Sequence, residues 1–289
     1  MRVPSTSAYA GLLRKLAFIL LLSEAAALIK TVPQALDGRG DFPSFYRAAV
    51  MLSGGARRDL YSIGAQDRFE SQILPGKDPQ ILPQYFYHPA FEALLLLPLA
   101  LLPYRAAFFA WTLTGLLAVG LCARLLAGRF LNLERFSMMP LGLILLAFYP
   151  VTVAILQGQD SLFLFATVAV SFHEFCEKRE MSSGAALALG LFKFQYVVPA
   201  AAILILHRRP RFLAGFAAAA AVLLGISWGV VGTSGLAGHW HILWNRLPEF
   251  PWGMPNVRGF AESLGGSRLT TVAISSLIAI WTVLTLTRS

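Results

Sequence analysis

The sequence predicts an all-α integral membrane protein, and three observations lead to this fold class. Of the 289 residues, 56% are hydrophobic and only 13% are charged, with a mean hydropathy of +0.63. A soluble domain carries about 25% charged residues. Four long runs contain no Asp, Glu, Lys or Arg, and basic residues cluster between them. Because about 20 apolar residues cross the hydrocarbon core of a bilayer, this pattern excludes soluble enzymes, disordered tails and disulfide scaffolds.

Six segments are predicted to cross the membrane within one polytopic domain, 1–289. In chain order they are 16–29, 106–123, 138–156, 161–172, 212–231 and 269–287. Two further apolar stretches, 93–104 and 182–206, are interrupted by prolines and, in the second, by Lys193. They are predicted to be half-helices or re-entrant hairpins, which gives eight to ten membrane helices. Such backbone is tolerated at membrane depth only where protein or a water-filled cavity receives it, so a cavity is expected.

The net charge of +9 is distributed as a membrane topology requires, rather than as a nucleic-acid surface. Placing the short basic segments in the cytoplasm satisfies the positive-inside rule at every short loop. Lys178–Arg179 and Arg208–Arg211 then lie on one side only if the segment between them enters and leaves by the same face. Both termini are expected in the cytoplasm, the first span is expected to stay uncleaved, and a bacterial inner membrane is the expected location.

The first outer segment, 31–88, is long and rich in Gly, Pro, Asp and aromatic residues. The pattern FYRAAVML predicts an amphipathic helix lying along the membrane interface. Asp41 precedes this helix. A partly buried carboxylate at the mouth of a cavity can act as a general base, because burial raises its pKa. The alternative is a solvated Asp that caps a helix beginning near Pro43.

Three later features also carry unexpected polarity. Tyr87 and His88 precede the first half-helix, where interfacial belt residues are the alternative. The short turn LQGQDS holds Gln157, Gln159 and Asp160, a set of amides and a carboxylate that can bind sugar hydroxyls or simply be solvated. Lys193 lies in an apolar segment, where a cation costs roughly 2.5–3.5 kcal/mol. At the tip of a hairpin it could hold a lipid-linked phosphate; the alternatives are snorkelling or an internal ion pair.

These motifs, taken in order, resemble glycosyltransferase family 87 of the GT-C superfamily, which includes polyprenol-phosphate-mannose-dependent mannosyltransferases. The matching residues are Asp41-Phe42, Phe45-Tyr46-Arg47-Ala48-Ala49, Gly54-Gly55, Leu60-Tyr61, Phe86-Tyr87-His88-Pro89, Pro98-Leu99, Leu102-Pro103, Gln157-Gly158-Gln159-Asp160-Ser161, Gly184 to Lys193, and Pro255-Asn256-Val257-Arg258-Gly259. The resemblance covers about residues 35 to 260 and implies a GT-C-like helical bundle.

The resemblance also implies a reaction and a set of site residues. A hexose, with mannose expected, would pass with inversion from a polyprenyl-phosphate-linked donor to a glycolipid or glycan acceptor on the extracytoplasmic face. Asp41 would be the base and Lys193 would hold the donor phosphate. The other expected substrate-binding residues are Tyr46, Arg47, Tyr87, His88, Gln157, Gln159, Asp160 and Asn256, the last in the late outer loop 233–268.

The resemblance implies no cofactor and no obligatory metal. The expected partners are membrane lipids, the donor and the acceptor, and not nucleic acid. Two other classes of function stay open: a transporter or lipid flippase, since half-helices and an intramembrane Lys also mark substrate pathways, and a non-catalytic membrane scaffold.

Overall fold

The computed structural model describes residues 6–78, 80–81, 83–130, 144–245, 260–261, 263–265 and 267–286, and within these ranges the chain is helical and contains no strand. The α-helices are α1 Thr6–Leu36, α2 Phe42–Ser53, α3 Ile63–Ile73, α4 Ala90–Leu95, α5 Tyr104–Phe130, α6 Tyr149–Gln157, α7 Ser161–Cys176, α8 Glu180–Ala188, α9 Phe194–Leu206, α10 Pro210–Asn245 and α11 Arg268–Leu286. Short 3-10 helices cover Arg57–Asp59, Leu97–Leu101 and Leu189–Lys193.

Among the described residues, four segments are long and apolar enough to cross a membrane, which makes the chain a multi-pass membrane protein. By length and composition they are Lys15–Leu36, Tyr104–Ala127, Glu180–Leu204 and Pro210–Leu243, of which Glu180–Leu204 is not one straight helix but comprises α8, a 3-10 helix and most of α9. Ser161–Cys176 and Leu269–Ile278 are shorter apolar helices. Part of the predicted span 138–156 lies outside the described residues. The all-α membrane fold is therefore confirmed, whereas six crossings and two cytoplasmic termini stay predictions.

The segment from α8 to α9 folds back on itself. A straight helix over residues 180–209 would separate its ends by about 40 Å. Instead, Arg209 Nη1 lies 2.8 Å from Glu180 Oε1, so the two ends are neighbours. Leu187 and Val197 pack in one apolar cluster across the fold. This geometry matches the hairpin alternative predicted for 182–206, and it places Lys193 at the tip, where the 3-10 helix meets α9.

Two glycines let the start of α8 press against the start of α10. A Cβ on Gly184 would lie 2.0 Å from Phe212 O, and one on Gly215 would lie 2.0 Å from Met181 O. Backbone this close leaves no room for a side chain, and small residues are what permit such approaches between membrane helices. The base of the hairpin is thus fixed by glycine packing and by the Glu180 ion pair.

We expect Gly184→Ala to lower the melting temperature of the detergent-purified protein, because the new methyl must push α8 away from α10. Overpacking of this kind costs about 1–3 kcal/mol. The control is Gly120→Ala on α5, where a Cβ meets nothing within 4 Å. Tryptophan-fluorescence melting curves measure both variants. Equal melting temperatures for the two would show that the hairpin does not depend on this contact.

The described part of the first outer segment is a packed helical layer rather than a loop lying on lipid. Nearly all of α2 is buried, including Phe42 and Phe45. Phe45 and most of the apolar residues after it cluster with α4 and with Val231 and Ile242 of α10, whereas Phe42 packs in a second cluster with α5. The predicted helix therefore exists, and nearly all of its residues are buried against protein; its position at the membrane interface stays a prediction. The polar side chains of α2 have partners inside the protein, and the helical spacing of its apolar residues does not predict those partners.

The predicted late outer loop 233–268 is also partly helical. Gly232 has φ 69° and ψ −176°, which breaks α10, and the helix then resumes as far as Asn245. Good helix formers such as Leu236 and Ala237 follow the break, so local propensity favours this second half-helix. Residues 246–259 lie outside the described part of the chain.

Candidate active site

The approach of two glycine-containing segments brings Asp41 beside the turn that follows α6. Asp41 N donates to Gln157 O at 2.7 Å. A Cβ on Gly40, which has φ +91°, would lie 2.8 Å from Gln157 Cα. A Cβ on Gly158, which has φ +62°, would lie 2.4 Å from Phe42 Cβ. Only glycine fits both the left-handed conformations and the close approach, so these positions set where Asp41 stands.

The environment of the Asp41 carboxylate favours a chemical role over a helix-capping role. Asp41 occupies the N-cap position of α2, yet its side chain makes no capping hydrogen bond. Instead the carboxylate is hydrogen-bonded to the side chain of Gln159. Burial raises the pKa of Asp41 above its ordinary 3.8, while Gln159 and the charges of Lys193 and His88 act in the opposite direction. A carboxyl group with a raised pKa is a better base once it is ionised.

Asp160 and Lys193 form a buried ion pair between the start of α7 and the tip of the hairpin. Lys193 Nζ lies 2.8 Å from Asp160 Oδ1 and donates to Ser161 Oγ at 2.9 Å. Asp160 is 2% exposed and, like Asp41, sits at an N-cap without capping. Because an ammonium has three N–H donors, these two contacts leave one for a further acceptor.

A second acidic residue lies behind this pair. His88 Nδ1 is 2.7 Å from Glu92 Oε2 and 3.4 Å from Asp160 Oδ2. Pro89 is the N-cap of α4, so His88 lies just before this helix and Glu92 lies in its first turn. Burial alone would lower the pKa of His88, but the charges of Glu92 and Asp160 outweigh it and raise that pKa. Burial raises the pKa of Glu92. Within the described part of the chain, His88, Glu92 and Asp160 place one potential metal-ligand atom each within 4.8 Å of the others, so this trio could hold a metal ion.

These side chains meet at a cavity of about 310 Å³. The first outer segment, the start of α7, the hairpin tip and α10 all contribute to its wall. The lining residues are Asp41, Ser44, Phe45, Gln84, Tyr85, Tyr87, His88, Gln159, Asp160, Phe192, Lys193, Phe194, Gln195 and Leu243. A larger cavity of about 580 Å³ lies elsewhere, between the end of α1 and the end of α3, and contains none of the predicted site residues.

The structure brings together most of the residues predicted from sequence. Six of the ten line the cavity: Asp41, Tyr87, His88, Gln159, Asp160 and Lys193. Gln157 lies next to it, and its Oε1 accepts a hydrogen bond from Gln159 Nε2 at 2.5 Å. Asn256 lies outside the described residues. The roles of these residues in binding or catalysis stay predictions.

Tyr46 and Arg47 do not line this cavity. Tyr46 donates its hydroxyl hydrogen to Leu102 O at 2.6 Å. Arg47 is 1% exposed and pairs with Glu70 at 3.3 Å, while its Nη2 donates to Gln66 Oε1 and Gln84 O. Both side chains join α2 to neighbouring segments, and these contacts favour a role in folding over the predicted role in substrate binding.

Sequence reasoning missed Glu92, Gln84 and Gln195. Glu92 could have been found, because an acidic residue four positions after His88, in the first turn of an apolar half-helix, requires a partner. Gln84 and Gln195 carry no such signal. Gln84 lies three positions before Tyr87 and Gln195 two positions after Lys193, and only the folded chain shows that both face the same cavity.

This arrangement combines a half-buried carboxylate that can take a proton, a cation that can hold an anion, and amides that can bind hydroxyls. Comparison with known proteins agrees with it. The model of a protein family described as glycosyltransferase family 87 matches residues 85–288. No curated protein and no solved structure gives a match. The matched range contains His88, Glu92, Asp160 and Lys193, and Asp41 precedes it. Since the match covers more than half of the chain, the protein belongs to glycosyltransferase family 87 and is a membrane glycosyltransferase.

Proposed function

We propose that this glycosyltransferase moves a hexose, with mannose as the first candidate, from a polyprenyl-phosphate donor to a glycolipid or glycan on the extracytoplasmic face. The carrying observation is that Asp41 and Lys193 line one cavity. A lipid-linked sugar phosphate presents one negative charge and several hydroxyls. The ammonium of Lys193 complements the phosphate, and Gln159 and Asp160 complement the hydroxyls.

The proposed reaction is a single displacement. The Asp41 carboxylate takes the proton of the acceptor hydroxyl as its oxygen bonds to the anomeric carbon. The bond between that carbon and the phosphate oxygen breaks, and its electron pair leaves with the polyprenyl phosphate. Lys193 stabilises the leaving phosphate by its charge. One displacement inverts the anomeric configuration. Asp41 and Lys193 contribute by holding the acceptor and the donor phosphate in reactive positions, which the two substrates would seldom reach together in free solution.

The direct test uses purified protein in proteoliposomes with polyprenyl-phosphate mannose labelled in the sugar, and a glycolipid acceptor. We expect label transfer with inversion, and a KM for the donor at least 10-fold higher for Lys193→Gln, because the phosphate loses its cation. Arg208→Gln, beyond the hairpin base, is the control. Movement of the label across the vesicle membrane without transfer to the acceptor would support a transporter. A protein that neither binds the donor nor transfers the sugar would support a scaffold.

The pH dependence of transfer follows from Asp41. The base acts when ionised, so kcat/KM should rise with pH through the pKa of Asp41, and burial places that midpoint above 3.8. The charged groups that act on Asp41 are Lys193 and His88, which favour its ionisation, and Asp160, which opposes it. Gln159→Leu removes a hydrogen bond to the ionised form, so it should move the acid limb to higher pH. An identical acid limb in wild type and Gln159→Leu would argue against Asp41 as the titrating base.

A further inference from the structure

We infer that His88, Glu92 and Asp160 bind one divalent metal ion at the inner wall of this cavity. One ligand atom from each, Nδ1, Oε2 and Oδ2, lies within 4.8 Å of the other two. Metal–ligand bonds of about 2.1 Å put neighbouring ligand atoms about 3.0–3.4 Å apart. The contacts of 2.7 and 3.4 Å at His88 Nδ1 are therefore close to what a shared ion imposes.

Without such an ion, these three atoms of the trio contact one another only as ion pairs. His88 Nδ1, Glu92 Oε2 and Asp160 Oδ2 are each buried and have no hydrogen-bond partner. His88 Nδ1 is within ion-pair distance of both carboxylates, so one imidazole is shared by two acidic groups. Glu92 is 4% exposed and Asp160 is 2% exposed. A metal ion would give all three atoms a common partner, in addition to these ion-pair contacts.

The charges around the trio also favour a divalent cation. Glu92 and Asp160 contribute two negative charges, and Lys193 compensates one through Asp160 Oδ1. With a neutral imidazole, a divalent ion changes the local charge from −1 to +1. On the proposed function, the single negative charge of a lipid-linked sugar phosphate would then make the trio, the ion, Lys193 and the donor together neutral, apart from the Asp41 carboxylate. The ion thereby strengthens donor binding beside Lys193.

The donor set indicates which metals fit. One imidazole and two carboxylates suit Mn²⁺ or Zn²⁺ better than Mg²⁺, which prefers oxygen ligands and keeps several waters. His88 and Asp160 both line the cavity, so water or a substrate oxygen can reach the remaining coordination positions. Glu92 lies on the protein side and would close the site from behind.

The test is Mn²⁺ binding by the purified, full-length protein after removal of metals with a chelator, in the absence of donor. We expect one Mn²⁺ per chain by electron paramagnetic resonance, with a nitrogen coupling from one histidine. Glu92→Gln and His88→Gln should weaken binding at least 10-fold, and Zn²⁺ should compete. His207→Gln and Glu174→Gln, both outside the cavity, are the controls and should bind as wild type does.

Three results would overturn this site. The folded wild type could bind no Mn²⁺ or Zn²⁺ at millimolar concentration, it could bind Mn²⁺ without a nitrogen coupling, or Glu92→Gln and His88→Gln could bind Mn²⁺ with the same affinity as wild type. The nitrogen coupling is measured on wild type, so it decides the question even if a variant fails to fold. Mn²⁺ binding without sugar transfer would reject the proposed function and leave the site standing. Sugar transfer by a protein that binds no metal would reject the metal site and leave the proposed function standing.

Discussion

Asp41→Asn is expected to abolish most sugar transfer while the protein keeps its fold. The amide has the size of the carboxylate but cannot take the acceptor proton. General-base catalysis contributes about 100- to 10,000-fold, so kcat should fall within that range. The donor KM should change little, because Lys193 and the pocket amides remain. Transfer of labelled sugar in proteoliposomes measures both constants.

The stability of the same variant provides an independent check. A pKa that is raised in the folded state means that the native protein holds the Asp41 proton more tightly than the unfolded chain does. Stability therefore falls as pH rises through the two pKa values, and ionised Asp41 destabilises the fold at neutral pH. Asp41→Asn should keep or raise the melting temperature at pH 7. Asp59→Asn, an exposed outer-segment carboxylate, should change neither property. Sugar transfer by Asp41→Asn at the wild-type rate would show that Asp41 is not the base.

Arg47→Met is expected to destabilise the protein strongly. Arg47 is buried and joins α2 to Glu70 and Gln66 of α3 and to the backbone of Gln84. Removing one member of a buried ion pair costs about 3–5 kcal/mol, because its partner is left uncompensated. Melting curves should show a large drop, and transfer should fall only in proportion to the folded fraction.

Arg58→Met is the matched control, because Arg58 is exposed in the short 3-10 helix before α3. A surface change of that kind usually stays within about 0.5 kcal/mol. The comparison also decides between two roles for Arg47. If Arg47→Met kept its melting temperature and lost donor or acceptor binding, the role in substrate binding predicted from sequence would be correct, and the structural role would be wrong.

The sequence predicts the meeting of Asp41, Asp160 and Lys193 because membrane topology adds long-range information. Basic segments assign one end of each span to the cytoplasm, so polar residues at the opposite ends are expected on one side. The cost of an intramembrane cation then singles out Lys193. The requirement that 178–179 and 208–211 lie together gives the hairpin, and the Glu180–Arg209 pair agrees with it.

The remaining features depend on packing that no sequence period encodes. FYRAAVML has the amphipathic pattern of an interfacial helix, yet α3, α4 and α5 enclose it, so Arg47 becomes internal. The pattern cannot distinguish a lipid surface from a protein surface, since both receive an apolar face. Charge alone does not distinguish Glu92 from the other acidic residues of the chain. Its burial beside His88 and Asp160 is a property of the fold.

A structure of the Asp41→Asn variant with polyprenyl-phosphate mannose bound would test the central claim most directly. The donor phosphate should lie within hydrogen-bonding distance of Lys193 Nζ, with the anomeric carbon open towards the side chain at position 41. Gln159 and Asp160 should contact the sugar hydroxyls. A phosphate bound instead in the larger cavity, beside Arg39, Lys77 and Arg105, with the 310 Å³ cavity empty of sugar, would contradict the proposed site.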